Sequence, residues 1–414
     1  MAVLSTARAP RFPLLDSVRA IAALTVVGYH AAYLSHIDAT GSASAPFLSH
    51  LDVGVTIFFL LSGFLLYRPF VRARLRGEPA PGAGAFAWRR ALRILPAYWL
   101  ALTVIALVLD QQDTFEPTHA LAYYGLAQTY TDVALGGIAQ AWTLNVEVCF
   151  YALLPVWALL VRRLRVPPTV RAELVALAVL ALVGIAWNVA WTVTAGDPQR
   201  ANVARPLIYL PAFFDHFALG MALAVISVGA ERSGTVPRGL GWLARRAWPA
   251  WLAAAVAFLL VAKGIGLSPV NALQAPVTAP QFLGRHWLYA VVALGVLLPG
   301  LFGPPDRGLI RRALGHPWVR YVGVVSYGVY LWHVGVMELV VQHAPRLGTG
   351  TYTGLIVLFA VGAAGGVGVA SLSWHWLERP LLRLKRLVPD RELPLRDPET
   401  HVALEPPVPA GSAD

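Results

Sequence analysis

The chain of 414 residues is 57% hydrophobic and only 13% charged, and its formal net charge is +11. Soluble domains carry roughly 25% charged residues, so this composition excludes a disordered protein and argues against a soluble globular one. It predicts an all-α, polytopic integral membrane protein, because helices satisfy their own backbone hydrogen bonds inside a bilayer. The basic residues lie between apolar stretches, so we expect contact with membrane lipid or an anionic substrate and no nucleic-acid binding.

About ten apolar segments approach or reach the roughly 20 residues that a membrane-spanning helix needs. With the N-terminus inside, 27 of the 33 Lys and Arg residues fall on the cytoplasmic side and five fall outside. This bias predicts about ten transmembrane helices with both termini in the cytoplasm. The segments are 14–34, 52–70, 91–109, 142–161, 172–194, 206–228, 248–263, 286–303, 321–342 and 353–377.

The domain organisation follows from these segments. Residues 1–13 are predicted to form a cytoplasmic N-terminal segment, and residues 14–388 a single transmembrane domain. Residues 389–414 are rich in Pro, Asp and Glu, which is typical of a disordered cytoplasmic tail. Frequent Arg and Ala with only two Lys residues are consistent with a bacterial protein of the cytoplasmic (inner) membrane.

Ionisable residues inside spans are costly, so they are the first candidates for function. Arg19 and His30 in the first span are eleven positions apart, which places both on one helix face with a rise of about 16 Å between them. Asp16 precedes Arg19 by three positions and can pair with it. The alternative interpretation is a hydrogen-bonded core histidine and a snorkelling arginine.

Glu147 lies near the outer end of the fourth span, at a depth similar to that of His30 in the first. A carboxylate that orients an imidazole makes a general base, so His30 and Glu147 are the catalytic candidates. Tyr151, in the same segment, is assigned to the substrate site. Alternatively, Glu147 is a structural carboxylate bonded to a Tyr or Trp.

Two further spans carry polar candidates. Asp215 and His216 lie in the sixth span and His333 lies in the ninth, and Asp215, His333 and Asp16 are assigned to the lining of the substrate site. The alternative role is hydrogen bonding between helices. The sequence contains no Cys/His spacing typical of a metal site, so no metal is predicted.

Arg90 and Arg93 belong to a basic run at the predicted start of the third span. Their spacing of three positions puts both guanidinium groups on one helix face. Two guanidinium groups near a helix N-terminus suit a phosphate or pyrophosphate. A purely topogenic role for the basic run is the alternative.

Taken together, these residues resemble the membrane-bound acyltransferase 3 family. Arg19 and His30, with ten residues between them, resemble the Arg-x10-His pattern of its first helix, and Arg90 and Arg93 resemble its Arg-x-x-Arg element. Four more segments resemble family signatures in the same order: FFLLSGF at 58–64, WTLNVE at 142–147, SYGVYLWH at 326–333 and ERP at 378–380. The sequence departs from the family at Val148, where many members have a second Glu.

The resemblance implies an O-acyltransferase that moves an acyl group, acetyl or another short one, from acyl-CoA to a hydroxyl of a sugar-containing acceptor. His30 would be the essential histidine with Arg19 as its partner, and Arg90 and Arg93, with Arg19, would bind the donor. Acyl-CoA would be a co-substrate, and no tightly bound cofactor is expected. Because no segment is long enough for a second folded domain, we expect the membrane domain itself to handle the acceptor, which would be a cell-envelope glycan, a glycolipid or a glycosylated natural product.

Two rival interpretations remain open at this point. A secondary transporter also has many helices and charges inside the membrane, and it would need no acyl donor. A structural or sensing membrane protein would tolerate substitution of His30 and Glu147.

Overall fold

The computed structural model describes residues 12, 14–131, 133, 136–195, 205–267, 277–303 and 308–388. These residues form helices and their connections, without a β-strand among them. The predicted tail 389–414 and all of the predicted segment 1–13 except Phe12 lie outside the described residues. The principal helices, in chain order, are α1 (Leu15–Leu34), α2 (Val53–Arg76), α3 (Ala83–Val108), α4 (Trp142–Arg163), α5 (Val170–Ala195), α6 (Phe214–Ser233), α7 (Trp248–Leu259), α8 (Ala279–Phe302), α9 (Pro317–Val324), α10 (Ser326–His343) and α11 (Tyr352–Ser373).

Seven helical stretches of the described residues are long and apolar enough to cross a membrane. An eighth span results if α9 and α10, which meet at a bend of 75°, are counted as one. Helices also occupy the other two predicted positions, but α1 carries polar residues that lower its hydropathy, and the apolar helix 248–264 is short. The protein is therefore an all-α polytopic membrane protein with seven or eight candidate spans, and the number ten stays a prediction.

Two helix starts differ from the predicted ones. Helix α3 begins at Ala83 rather than at residue 91, so Arg90 and Arg93 lie about two to three turns inside it. Helix α6 begins at Phe214 rather than at 206, after two short 3₁₀ turns that contain Pro206 and Pro211. Hydropathy marks where apolar side chains begin, whereas a helix extends as far as its backbone hydrogen bonds allow, and proline interrupts those bonds.

Helix α2 packs closely against α6 because both helices have a glycine at the crossing. A Cβ atom on Gly63 would collide with the carbonyl oxygen of Phe217, and one on Gly220 would collide with that of Leu60. Small residues let two backbones approach in a membrane, where dispersion contacts replace the hydrophobic effect as the driving force. Gly63 of the FFLLSGF segment at 58–64 is thus a packing residue.

Helix α1 is held in the same way against the bent pair. A Cβ atom on Gly323 in α9 would meet the backbone oxygen of Asp16, so the start of α1 and the end of α9 touch. Helix α1 then continues along α10 and α11, where Val27 and Ala31 pack with Val329 and Leu358. This packing places the polar face of α1 next to α10.

The close crossing of α2 and α6 generates a test of the fold. We expect Gly220→Val to destabilise the protein by roughly 1–3 kcal/mol, because the added carbons overpack a backbone contact. Gly368→Ala in α11 is the control, since a Cβ there meets no atom within 4 Å. Thermal unfolding of the purified proteins in detergent measures both, and an unchanged midpoint for Gly220→Val would contradict the crossing.

Candidate active site

A cavity with about 740 Å³ of empty space, its open mouth included, lies between α1, α2, α3, α4 and α10. Its polar lining combines three guanidinium groups, one carboxylate and several hydroxyls, and aromatic and aliphatic side chains form the rest. Such a set suits a ligand with negative charge at one part and an apolar chain at another. The lining residues are Arg19, Val55, Phe58, Phe59, Arg90, Arg93, Ile94, Thr143, Leu144, Glu147, Tyr151, Ser326, Tyr327 and Tyr330.

Five of the nine residues predicted for the site line this cavity: Arg19, Arg90, Arg93, Glu147 and Tyr151. They come from three helices that are far apart in the sequence. Three other members of the lining, Ser326, Tyr327 and Tyr330, belong to the SYGVYLWH segment that carries the family resemblance.

On α1, the Arg19 guanidinium lies 3.5 Å from the Asp16 carboxylate, as the spacing of three positions predicts. Across the cavity, Glu147 accepts a hydrogen bond from the hydroxyl of Ser62 on α2. The two neighbouring residues Ser62 and Gly63 therefore have separate roles. Gly63 allows α6 to pack closely against α2, and Ser62 orients the carboxylate of Glu147. Asp16 itself pairs with Arg19 and is not among the lining residues.

Arg90 is oriented by two aromatic rings. Its guanidinium carbon lies 5.9 Å from the centre of the Tyr151 ring and 5.8 Å from that of Phe86. Cation–π contacts of this kind stabilise a cation that is removed from water. Helix α3 begins at Ala83, so the prediction that Arg90 lies near a helix N-terminus is wrong, and the helix dipole does not add to phosphate binding there. A phosphate at this place would contact the guanidinium group itself.

Arg93 is oriented by the end of the last span. Its guanidinium lies 4.0 Å from the carboxylate of Glu378, which is only 3% exposed, and 5.2 Å from the centre of the Trp374 ring. Sequence reasoning did not assign Glu378 to the site. The ERP signature at 378–380 was the available signal, since a carboxylate at the end of a span needs a cationic partner.

His30 and His333 form a hydrogen-bonded pair between α1 and α10. Nδ1 of His333 lies 2.9 Å from the carbonyl oxygen of Val329, so Nδ1 carries the proton and Nε2 of His333 is an acceptor. Nδ1 of His30, 3.1 Å away, therefore donates to Nε2 of His333, and it also lies 3.0 Å from the Val26 oxygen. This arrangement leaves Nε2 of His30 with a lone pair, which is what a general base requires.

Glu147 does not orient His30 as the sequence analysis expected, because the hydrogen bonds of His30 go to Val26 and His333. Neither histidine is among the residues that line the cavity, so His333 does not have the lining position assigned to it. Tyr330 connects the two parts of the site: it lines the cavity, and its ring centre is 6.0 Å from that of His333. Similar depth in the membrane was too weak a criterion to identify the partner of His30.

Asp215 also lies away from the cavity lining. Its carboxylate oxygens are 2.9 and 3.1 Å from Nε2 of His286 on α8, and one oxygen accepts the backbone N–H of His216. His286 was not singled out in the sequence, because it lies 71 positions from Asp215 and no short-range spacing marks it.

The comparisons with known proteins identify the family of the chain. The profile of the acyltransferase 3 family, described as an acyltransferase domain, matches residues 12–375, so the chain belongs to this family. The family resemblance noted in the sequence is thereby confirmed, and the protein is a membrane O-acyltransferase. No solved structure matches the chain.

Three relatives show how distant the similarity is. Nodulation protein 10 of Rhizobium leguminosarum bv. viciae is 26% identical over 91% of this chain and 95% of its own length. The exopolysaccharide production protein ExoZ of Rhizobium meliloti is 29% identical over 80% of this chain and 90% of its own. The peptidoglycan O-acetyltransferase OatA of Listeria monocytogenes is 24% identical over 89% of this chain and 55% of its own.

Proposed function

We propose that the protein transfers an acetyl or other short acyl group from acyl-CoA to a hydroxyl of a sugar-containing acceptor. One observation carries the proposal: Arg19, Arg90 and Arg93 converge with Glu147 in one cavity, beside a histidine pair that leaves a ring nitrogen free to accept a proton. The cations suit the phosphates of the donor, and the imidazole suits the activation of a hydroxyl. A secondary transporter would need neither the phosphate-binding cations nor the imidazole that activates a hydroxyl.

The donor binds with its phosphate groups on Arg90 and Arg93, and Arg19 adds a third positive charge. Guanidinium groups bind phosphate oxygens in a bidentate manner, and the partners Tyr151 and Glu378 hold two of them in place before the donor arrives. The acyl-pantetheine arm then extends along the apolar part of the cavity past Tyr330 toward His30. No tightly bound cofactor is needed for this reaction.

His30 acts as the general base in the transfer. Its Nε2 takes the proton of the acceptor hydroxyl while that oxygen attacks the carbonyl carbon of the thioester. The carbon–sulfur bond breaks, and the departing thiolate of CoA takes a proton from the imidazolium. His333 is a positioning residue: the Val26 oxygen already keeps the proton on Nδ1 of His30, and Nε2 of His333 accepts from the same Nδ1 and holds the ring in its direction.

A glycan is the acceptor class that the names of the relatives support. The names of two of them specify peptidoglycan O-acetylation and exopolysaccharide production. A cell-envelope glycan, a glycolipid or a glycosylated natural product therefore fits the hydroxyl that His30 would activate.

We infer ten spans in the bacterial cytoplasmic membrane, with both termini on the cytoplasmic side. Helix α1 pairs Asp16 with Arg19 and bonds His30 to His333 of α10, so its modest hydropathy does not prevent it from spanning. The apolar helix 248–264 adds another span, although it is short. The bias of 27 basic residues against five supports this arrangement.

The first test of the reaction compares glycans, glycolipids and secreted metabolites by mass. Hosts expressing the wild type should contain a species one acyl group heavier, and His30→Ala should reduce it by about 10²–10⁴-fold, as expected for the loss of a general base. His343→Ala, an exposed histidine on the same helix as His333, is the control.

All proteins are compared at equal levels in the membrane. A His30→Ala variant that keeps a tenth of the wild-type activity would exclude His30 as the base. Transport without any heavier species would favour the transporter instead.

The second test measures donor binding. We expect Arg90→Ala and Arg93→Ala each to weaken the binding of labelled acyl-CoA by about 10-fold or more, since each loses a charge-assisted hydrogen bond to phosphate. Arg245→Ala removes an exposed arginine outside the cavity and should bind normally. Equal loss in all three variants would mean that general charge, rather than this cavity, attracts the donor.

The third test separates positioning from catalysis. His333→Ala should lower kcat by about 10²-fold with little change in KM for the donor, because the His30 ring is no longer held in its direction while the arginines remain. His333→Asn should recover part of the rate, because its amide oxygen can accept the hydrogen bond from Nδ1 of His30. A rise in KM alone would place His333 in donor binding.

A further inference from the structure

We propose that Asp215, His216 and His286 bind a divalent transition-metal ion of the zinc class, between α6 and α8. Each residue offers one ligand atom, and these atoms all lie within 4.8 Å of one another. All three are buried, with exposed fractions of 5%, 1% and 8%. Two imidazoles and a carboxylate are a common ligand set for zinc and its neighbours in the first transition row.

His216 is the residue that points most directly to a metal. Its Nε2 lies 3.2 Å from the carbonyl oxygen of His286, which can only accept, so Nε2 carries the proton. Its Nδ1 is then a bare lone pair, and this buried atom has no hydrogen-bond partner among the described residues. Metal-binding histidines are oriented in this way, with one nitrogen donating to a backbone carbonyl and the other on the metal.

His286 supplies the second nitrogen. Its ring stacks on that of His216 with the centres 4.0 Å apart and the planes at 12°, and each of the two rings has a nitrogen within 4.8 Å of the other ligand atoms. Nε2 of His286 faces both oxygens of Asp215 at 2.9 and 3.1 Å. Ligand atoms around a tetrahedral ion with bonds of about 2.0–2.1 Å are roughly 3.3 Å apart, so this pair would separate by a few tenths of an ångström.

Binding requires one proton to move within His286. In the hydrogen-bonded pair, Nε2 of His286 donates to the carboxylate; on the metal, that proton resides on Nδ1 and Nε2 binds the ion. Asp215 changes from hydrogen-bond acceptor to anionic ligand. His216 is already in the ligating tautomer, so only His286 changes tautomer, and the ligand atoms, which lie within 4.8 Å of one another, move closer together around the ion.

The proposed ion would hold the start of α6 to α8 behind one wall of the cavity. Phe213, just before α6, has its ring centre 6.1 Å from the centres of both histidine rings. The same ring lies 4.9 Å from that of Phe59, which lines the cavity. The ion therefore acts on the position of an aromatic wall and takes no part in acyl transfer.

The test measures metal content directly, on full-length protein purified in detergent without a histidine tag. After incubation with Zn²⁺ and removal of excess metal, we expect about one ion per chain by mass spectrometry. His216→Gln, His286→Gln and Asp215→Asn should lose at least nine-tenths of it. His333→Gln, a buried histidine outside the cluster, is the matched control and should keep its ion.

Co²⁺ gives a second readout on the wild type alone, so the test does not depend on the stability of any variant. A ligand field from two nitrogens and a carboxylate should give visible absorption bands, which Zn²⁺ abolishes by displacement. Absence of bound metal after incubation with Zn²⁺, Co²⁺ and Mn²⁺ would overturn the proposal and leave a hydrogen-bonded histidine pair.

Retention of the ion by all three cluster variants would also overturn it, because the metal would then be bound elsewhere. These measurements need no acyl donor or acceptor, so their outcome is independent of the proposed acyl transfer.

Discussion

Compensation of buried charge is the constraint on which the candidate site depends. The interior of a membrane protein offers little water to an ion, so each charged side chain there needs a partner from a neighbouring helix. Arg93 has Glu378 and the Trp374 ring, Arg19 has Asp16, and Arg90 has the ring of Tyr151. These partners hold the guanidinium groups at one cavity, where an anionic ligand gains from all three at once.

Close helix crossings hold two of the helices that carry the site. Gly63 and Gly220 bring α2 against α6, and Gly323 brings α9 against the first turn of α1. Helix α2 carries Ser62, which bonds to Glu147, and α1 carries Arg19, so a bulkier residue at either crossing would displace a part of the site. The glycines thus serve the site although none of them carries any chemistry.

The sequence could predict which side chains lie close together on one helix, because the helical period fixes their spacing. The Asp16–Arg19 pair was found in this way, and so was the common position of Arg90 and Arg93 at the cavity. Relations between helices could not be predicted, since they depend on the rotation of each helix about its axis. The partner of His30 is 303 positions away at His333, whereas similar depth in the membrane and carboxylate chemistry pointed to Glu147.

One layer of aromatic rings lies between the cavity and the cluster of Asp215, His216 and His286. Phe59 faces the cavity and packs on Phe213, whose ring is beside His216 and His286. A cavity that binds an anionic donor on three guanidinium groups depends on walls that hold those groups in position. The contact between Asp215 and His286 joins α6 to α8 at this layer. The wall of the cavity is therefore held in place by residues that take no part in the reaction.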